Sequence, residues 1–197
     1  QVGAAEENLV EAFSGLHADA HGELPLLFVR VREAAQIPAL LRRLGTAAHL
    51  LDGIVLPKFT AISGTEYLLT LEAAEREAGI SLLAMPGIES GAVLYAETRV
   101  DELTRLRALL HRDRRRILAV RIGATDLCAL YGLRRSPELS IYDIKVVSAL
   151  IGDVVNVLGR TDGTGFTVSG PVWEDYGGGE RGFKPQLRQS PVHQHDA

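Results

Sequence analysis

The sequence predicts an α/β fold, a (β/α)8 TIM barrel of which about five of the eight strands are visible. Three observations carry that prediction. Apolar runs of strand length alternate with stretches of helical periodicity, about thirty residues to each βα unit. The runs are nearly unbroken, which is the pattern of strands buried on both faces of a parallel sheet. Polar residues gather in the loop after each run, and no loop carries a dinucleotide-binding glycine fingerprint; Gly123-Ala124-Thr125-Asp126 lacks the later glycines. A barrel accounts for this regular alternation better than a doubly wound sheet does.

Taken in order, a helix over Asn8 to Ala18 precedes the first strand, Leu26 to Val31, which starts after Pro25. Ile37, Leu40, Leu41 and Leu44 then recur at the spacing of one buried helix face. Gly53 to Pro57 is the second strand, followed by a helix over Gly64 to Ala78. Ser81 to Pro86 is the third, followed by a helix over Val100 to Leu110. Ile117 to Ile122 is the fourth, and a long helix from Ile141 to Leu158 leads to the fifth, Phe166 to Ser169. The barrel domain is assigned to residues 1–176, and the Gly-rich and polar C-terminal segment, opening at Gly177-Gly178-Gly179, to 177–197. A start at Gln1 and too few strands to close a barrel make a fragment of a longer chain the expectation.

Composition narrows the class. The 197 residues are 46% hydrophobic, enough for one sizeable core. The net charge is −4, and only Lys58, Lys145 and Lys184 among the 21 basic residues are lysine, which argues against nucleic acid as a partner. The dense run His111-Arg112-Asp113-Arg114-Arg115-Arg116 reads as a solvated helix end, favoured there by the helix dipole. No run of about eighteen uncharged apolar residues exists to span a membrane. Cys128 stands alone, so an intrachain disulfide is excluded and a reducing, cytoplasmic setting is expected.

In a parallel barrel the working face is where the strands end. Four residues stand out there. Arg30 interrupts an otherwise apolar strand, Lys58 closes Ile54-Val55-Leu56-Pro57-Lys58, Glu89 follows the third strand, and Asp126 follows the fourth. Two carboxylates from successive strand ends would converge over the barrel mouth. Such a pair can hold Mg²⁺ with the remaining octahedral positions left to water and substrate. A cation beside an arginine is in turn a docking site for an α-oxo or α-hydroxy acid. Plainer readings stand beside these: Glu89 as a helix N-terminal carboxylate, Asp126 as a cap on the turn into Leu127, Arg30 paired with Glu33, Lys58 merely exposed. His49 is read as packed or solvent-facing, and His193 and His195 as tail residues.

The segments Phe28-Val29-Arg30-Val31, Gly53-Ile54-Val55-Leu56-Pro57-Lys58, Pro86-Gly87-Ile88-Glu89-Ser90-Gly91 and Gly123-Ala124-Thr125-Asp126-Leu127, in that order, resemble the citrate lyase β-subunit-like proteins of the HpcH/HpaI aldolase superfamily. The tract Asp126 to Arg135, with Ser140-Ile141-Tyr142-Asp143, resembles more narrowly the branch called C–C bond lyase of the TIM-barrel fold. That branch is often associated with tellurium-resistance and stress-response gene clusters. The resemblance covers roughly residues 8–175. It implies a lyase that makes or breaks a carbon–carbon bond beside a carbonyl, with Mg²⁺ on Glu89 and Asp126 stabilising the enolate. Arg30 would contact the substrate carboxylate and the enolate oxygen, and Lys58 would take the place of the family's Pro-Lys lysine. The substrate would be a small carboxylate or an acyl-CoA, and the protein a homo-oligomer, trimer or hexamer. Thioester hydrolysis at the same site, and a non-catalytic metal-binding barrel in a stress-response complex, are the alternatives. The family's opening strands and closing strand and helix have no counterpart in this sequence, and no catalytic base is identifiable in it.

Overall fold

The structure, a computed structural model, describes residues 2–16, 24–133, 139–171, 175–176 and 188–189. Arg134-Arg135, Trp173, the Gly177-Gly178-Gly179 run and the tail with His193 and His195 lie outside the described residues. The elements are α1 (Val2–Ser14), β1 (Phe28–Arg30), α2 (Gln36–Leu44), a 3-10 helix (Gly45–Leu50), β2 (Gly53–Leu56), α3 (Ala61–Ala78) and β3 (Leu83–Ile88). Then come α4 (Gly91–Leu94), α5 (Ala96–Arg112), β4 (Val120–Ile122), α6 (Ala124–Leu130), a 3-10 turn (Ile141–Asp143), α7 (Lys145–Leu158) and β5 (Val168–Ser169). Two short strands, β6 (Asp175–Tyr176) and β7 (Arg188–Gln189), pair with each other.

Strands β1 to β5 form one sheet in the order β1-β2-β3-β4-β5, every described pair parallel. This order settles the architecture. A doubly wound sheet reverses direction at a switch point, which places helices on both faces. Here each crossover steps to the next strand in the same direction. Right-handed crossovers then stack all the helices on one face, and the sheet curls as a barrel segment. The helices accordingly touch in sequence, α2 against α3, α3 against α5, and α5 against α7.

Strand register divides the side chains cleanly. Ile54, Leu56, Ala84, Ile88, Val120 and Ile122 are buried within the main hydrophobic cluster, under the helices. Val55 and Ala119 are equally buried but lie outside that cluster, because they face the other way, into the barrel. That inner face carries Arg30, Val55 and Met85 in one register row, and Gly87, Arg121 and Ser169 in the next. Gly53 leaves room for the Phe28 ring, which occupies the space a Cβ there would need.

Local chemistry explains the element ends, and several differ from expectation. Helix α1 lies earlier than Asn8 to Ala18, ending at Ser14, with the Gly15 amide closing onto the Glu11 carbonyl. Strand β3 starts later than expected but runs on to Ile88, because its far end pairs with β4 while its near end pairs with β2. The single long helix expected over Ile141 to Leu158 is two pieces. The Asp143 carboxylate accepts bonds from the amide and hydroxyl of Ser140, tightening a 3-10 turn, and Ile144 is extended before α7 begins. Helix α3 starts at a Thr60–Ser63 capping box, and the buried Glu102 of α5 accepts the Ala61 amide at 2.7 Å.

The arginine run is more than a solvated helix end. Arg116 donates to Glu75 Oε2 at 2.6 Å and to Asp113. Arg114 lies over the Phe166 ring, 4.9 Å from its centroid, and donates to the Gly165 carbonyl. Arg116 thus ties the end of α5 to α3, and Arg114 ties it to the segment before β5, uses that charge density alone does not foretell.

Candidate metal centre at the strand ends

Glu89 follows β3 directly and is 3% exposed. A carboxylate so deeply buried needs partners for its charge. Oε1 has two: Arg30 Nη2 at 2.7 Å from β1, and the backbone amide of Lys58 at 2.9 Å from the end of β2. One oxygen thus ties three adjacent strand ends together. The reading of Glu89 as a helix N-terminal carboxylate does not hold, since its bonds go to Arg30 and Lys58. Arg30 likewise pairs with Glu89 rather than with Glu33.

Asp126 sits in the first turn of α6, where a carboxylate meets the positive end of the helix. It makes no capping bond at Gly123, the N-cap residue. Its Oδ2 lies 4.0 Å from Arg30 Nη2, and its side chain is 48% exposed. The two carboxylates therefore converge on one point, already marked by a guanidinium nitrogen. One is locked and dry, and the other open to solvent.

Gly123 makes this convergence possible. A Cβ built on it would fall 2.7 Å from the Glu89 Cβ and 3.0 Å from its Cδ, and closer still to Oε2. Its φ of −99° suits any residue, so the requirement is space and not a left-handed backbone.

Lys58 is different: its φ of 48° places a non-glycine residue in the left-handed region. That twist aims its amide at Glu89, while its carbonyl accepts the Ser63 hydroxyl. Phe59, fully buried, follows with its amide on the Gly87 carbonyl. The Lys58 side chain is exposed and forms no ion pair among the described residues. Its backbone, rather than its ammonium, builds the site. If the two carboxylates hold Mg²⁺, Lys58→Gly should keep that affinity, and it should shift stability by no more than about 1 kcal/mol, relieved strain offsetting added chain freedom. Calorimetry with a thermal melt checks this, and turnover of the same variant tests the ammonium separately.

Tyr67 of α3 closes the helix side of this region, its hydroxyl donating to the Arg32 carbonyl at 3.2 Å and its ring stacked on Phe59. Burial pushes its phenol above the usual value, Glu66 and Glu33 push the same way, and Arg30 opposes them. It therefore remains a neutral donor at neutral pH. His49, on the 3-10 helix before β2, is exposed and remote in the fold from these strand ends.

The donor chemistry fits Mg²⁺. Both groups are hard carboxylate oxygens, and no cluster of three or more His, Cys, Asp or Glu occurs among the described residues. A magnesium ion uses one or two carboxylates and keeps water or substrate on its other positions, whereas structural zinc takes four protein ligands. The space that Gly123 leaves beside Glu89 Oε2 is consistent with that pair.

The sequence reading did not single out Arg121, on the inner face of β4 between the fully buried Val120 and Ile122. The signal was available: a charge within an apolar strand, as with Arg30. The role of Gly123 was also missed, because close approach across strands is not visible from one strand alone.

No helix among the described residues is long and apolar enough to cross a membrane. Neither a curated protein nor a solved structure matches the chain. The family model described as C-C_Bond_Lyase of the TIM-Barrel fold matches residues 1–195. With consecutive parallel strands and two carboxylates at their C-terminal ends, the chain belongs to this family of carbon–carbon bond lyases built on the TIM barrel.

Proposed function

We propose that this protein is a Mg²⁺-dependent lyase, similar to citrate lyase β subunits, acting on an oxo or hydroxy acid or its acyl-CoA thioester. The observation that carries this reading is the Arg30 guanidinium set between Glu89 and Asp126 at the strand ends. Glu89 and Asp126 would hold the ion. When bound, it would supply Lewis-acid polarisation of the substrate carbonyl, the electrostatic contribution that dominates enolate-forming reactions. Arg30, with its side chain 43% exposed, can reach a substrate carboxylate without leaving Glu89. The Lys58 amide keeps Glu89 oriented, as an outer-shell donor does for a metal ligand. In this reading the protein works in the cytoplasm as a homo-oligomer.

Calorimetric titration of Mg²⁺ into the full-length chain and its Glu89→Gln and Asp126→Asn variants tests the assignment. Each substitution should weaken binding by about a hundredfold or more, since even outer-shell changes cost about 10- to 100-fold. Unchanged affinity in both variants removes the metal site. One observation supports a second reading, a non-catalytic barrel in a stress- or tellurium-response complex: Arg30 and the Lys58 amide already satisfy Glu89 Oε1 without any ligand. On that reading Glu89→Gln lowers the melting temperature, and oxo acids and acyl-CoA thioesters neither bind nor turn over.

A further inference from the structure

Arg121 presents a problem that the proposed metal site does not resolve. Its neighbours in sequence, Val120 and Ile122, are 0% and 1% exposed under the helices, so Arg121 projects from the opposite, inner face. Barrel interiors are normally filled by branched apolar side chains. Here the register places Gly87 on one side of Arg121 and Ser169 on the other, neither of them bulky. The residue is partly buried, and its guanidinium makes no hydrogen bond or ion pair among the described residues. It cannot discard its charge by deprotonation. A partly dehydrated arginine with no carboxylate partner calls for an anion.

Its position says which anion. Arg121 stands beside Gly87, and Glu89 is the next inward-facing residue above Gly87. Adjacent strands are about 5 Å apart and same-face neighbours along a strand about 7 Å, so Arg121 lies within one side-chain length of the site, on its barrel side. Charge points the same way. Glu89 and Asp126 would balance a divalent cation, and although Arg30 stays paired with Glu89, the loaded site with both arginines would carry a net positive charge from Arg30 and Arg121. Lys58, exposed to solvent, needs no partner. A substrate with one carboxylate would neutralise only one of the two arginines.

We infer that Arg121 receives a second carboxylate of the substrate, remote from its oxo group, so that the site selects dianionic oxo or hydroxy acids over monoanionic ones of equal length. This inference rests on the lyase reading above and adds to it a residue that sets specificity. Ser169 lies level with Arg121 and can donate its hydroxyl to the same group.

Two acids of matched chain length test it: 2-oxoglutarate, with a distal carboxylate, and 2-oxopentanoate, without one. Each is titrated by calorimetry into the full-length protein with saturating Mg²⁺. The wild type should bind 2-oxoglutarate roughly tenfold more tightly or better, the worth of a charge-assisted pair. Arg121→Gln should erase that preference and leave 2-oxopentanoate affinity unchanged, and Arg121→Lys should restore part of it. A wild type that does not discriminate overturns the inference. So does an Arg121→Gln variant that loses both affinities together with its melting temperature, for the arginine then serves a structural ion pair. If the wild type binds Mg²⁺ and 2-oxopentanoate in either case, the lyase reading survives. If Mg²⁺ affinity is also indifferent to Glu89→Gln, both fail.

Discussion

On the proposed magnesium-lyase reading, Gly123→Ala is expected to lower Mg²⁺ affinity at least tenfold and turnover by about two orders of magnitude, while the fold survives. A Cβ there would lie 2.7 Å from the Glu89 Cβ, an atom fixed to the backbone that no rotamer change can withdraw. Either β3 and β4 separate at their ends, or the Glu89 carboxylate swings off the point it shares with Asp126. A shift of about 1 Å in a positioned group can cost roughly a hundredfold in rate. The cost in stability is that of overpacking, about 1–3 kcal/mol, because the clash is confined to the strand ends. Calorimetry and a thermal melt separate the two effects. Metal affinity like the wild type's, with the protein folded, would mean that Glu89 does not bind metal through the geometry described above.

The largest loss of stability should come from the opposite end of the sheet. Glu75, 8% exposed near the end of α3, accepts the Leu82 amide through Oε1 at 2.6 Å and Arg116 through Oε2 at 2.6 Å. It thereby holds the segments leading into β3 and β4 to one helix. Glu75→Ala leaves a buried amide unsatisfied and Arg116 with only its 3.3 Å contact to Asp113. Breaking a buried pair and stranding a donor should cost about 3 kcal/mol. For a domain of this size that is roughly 6–12 °C in melting temperature. Because barrels separate function at the C-terminal face from stability at the N-terminal face, Mg²⁺ affinity should not change. A loss below about 1 kcal/mol would show that the pair is solvated in the working protein.

These two expectations divide along the line between what was legible in the chain and what was not. The four candidate residues could be selected from the sequence because each breaks a local pattern: a charge within an apolar strand, or just after one. Their partners could not. Arg30 is 59 residues from Glu89, and Lys58 is 31 residues from it. Periodicity therefore could not choose between a Glu89 that caps a helix and one that clasps three strands. The arginine run shows the same limit from the other side. Its density suggested solvent, but Arg116 is claimed by Glu75, 41 residues away.

The sequence by itself determined the layers: which runs are strands, which are helices, and which face of each is apolar. Those properties depend on side chains two to four positions apart, and the backbone periods of 2.0 and 3.6 translate them directly. Only the tertiary structure decided the order β1-β2-β3-β4-β5, which makes the sheet a barrel segment rather than a doubly wound layer. It also decided that Glu89, Asp126 and Arg30 meet at one point and that Arg121 faces the inside without a partner among the described residues. Strand neighbourhood and close approach at Gly123 are set by packing between distant segments, and no local pattern encodes them.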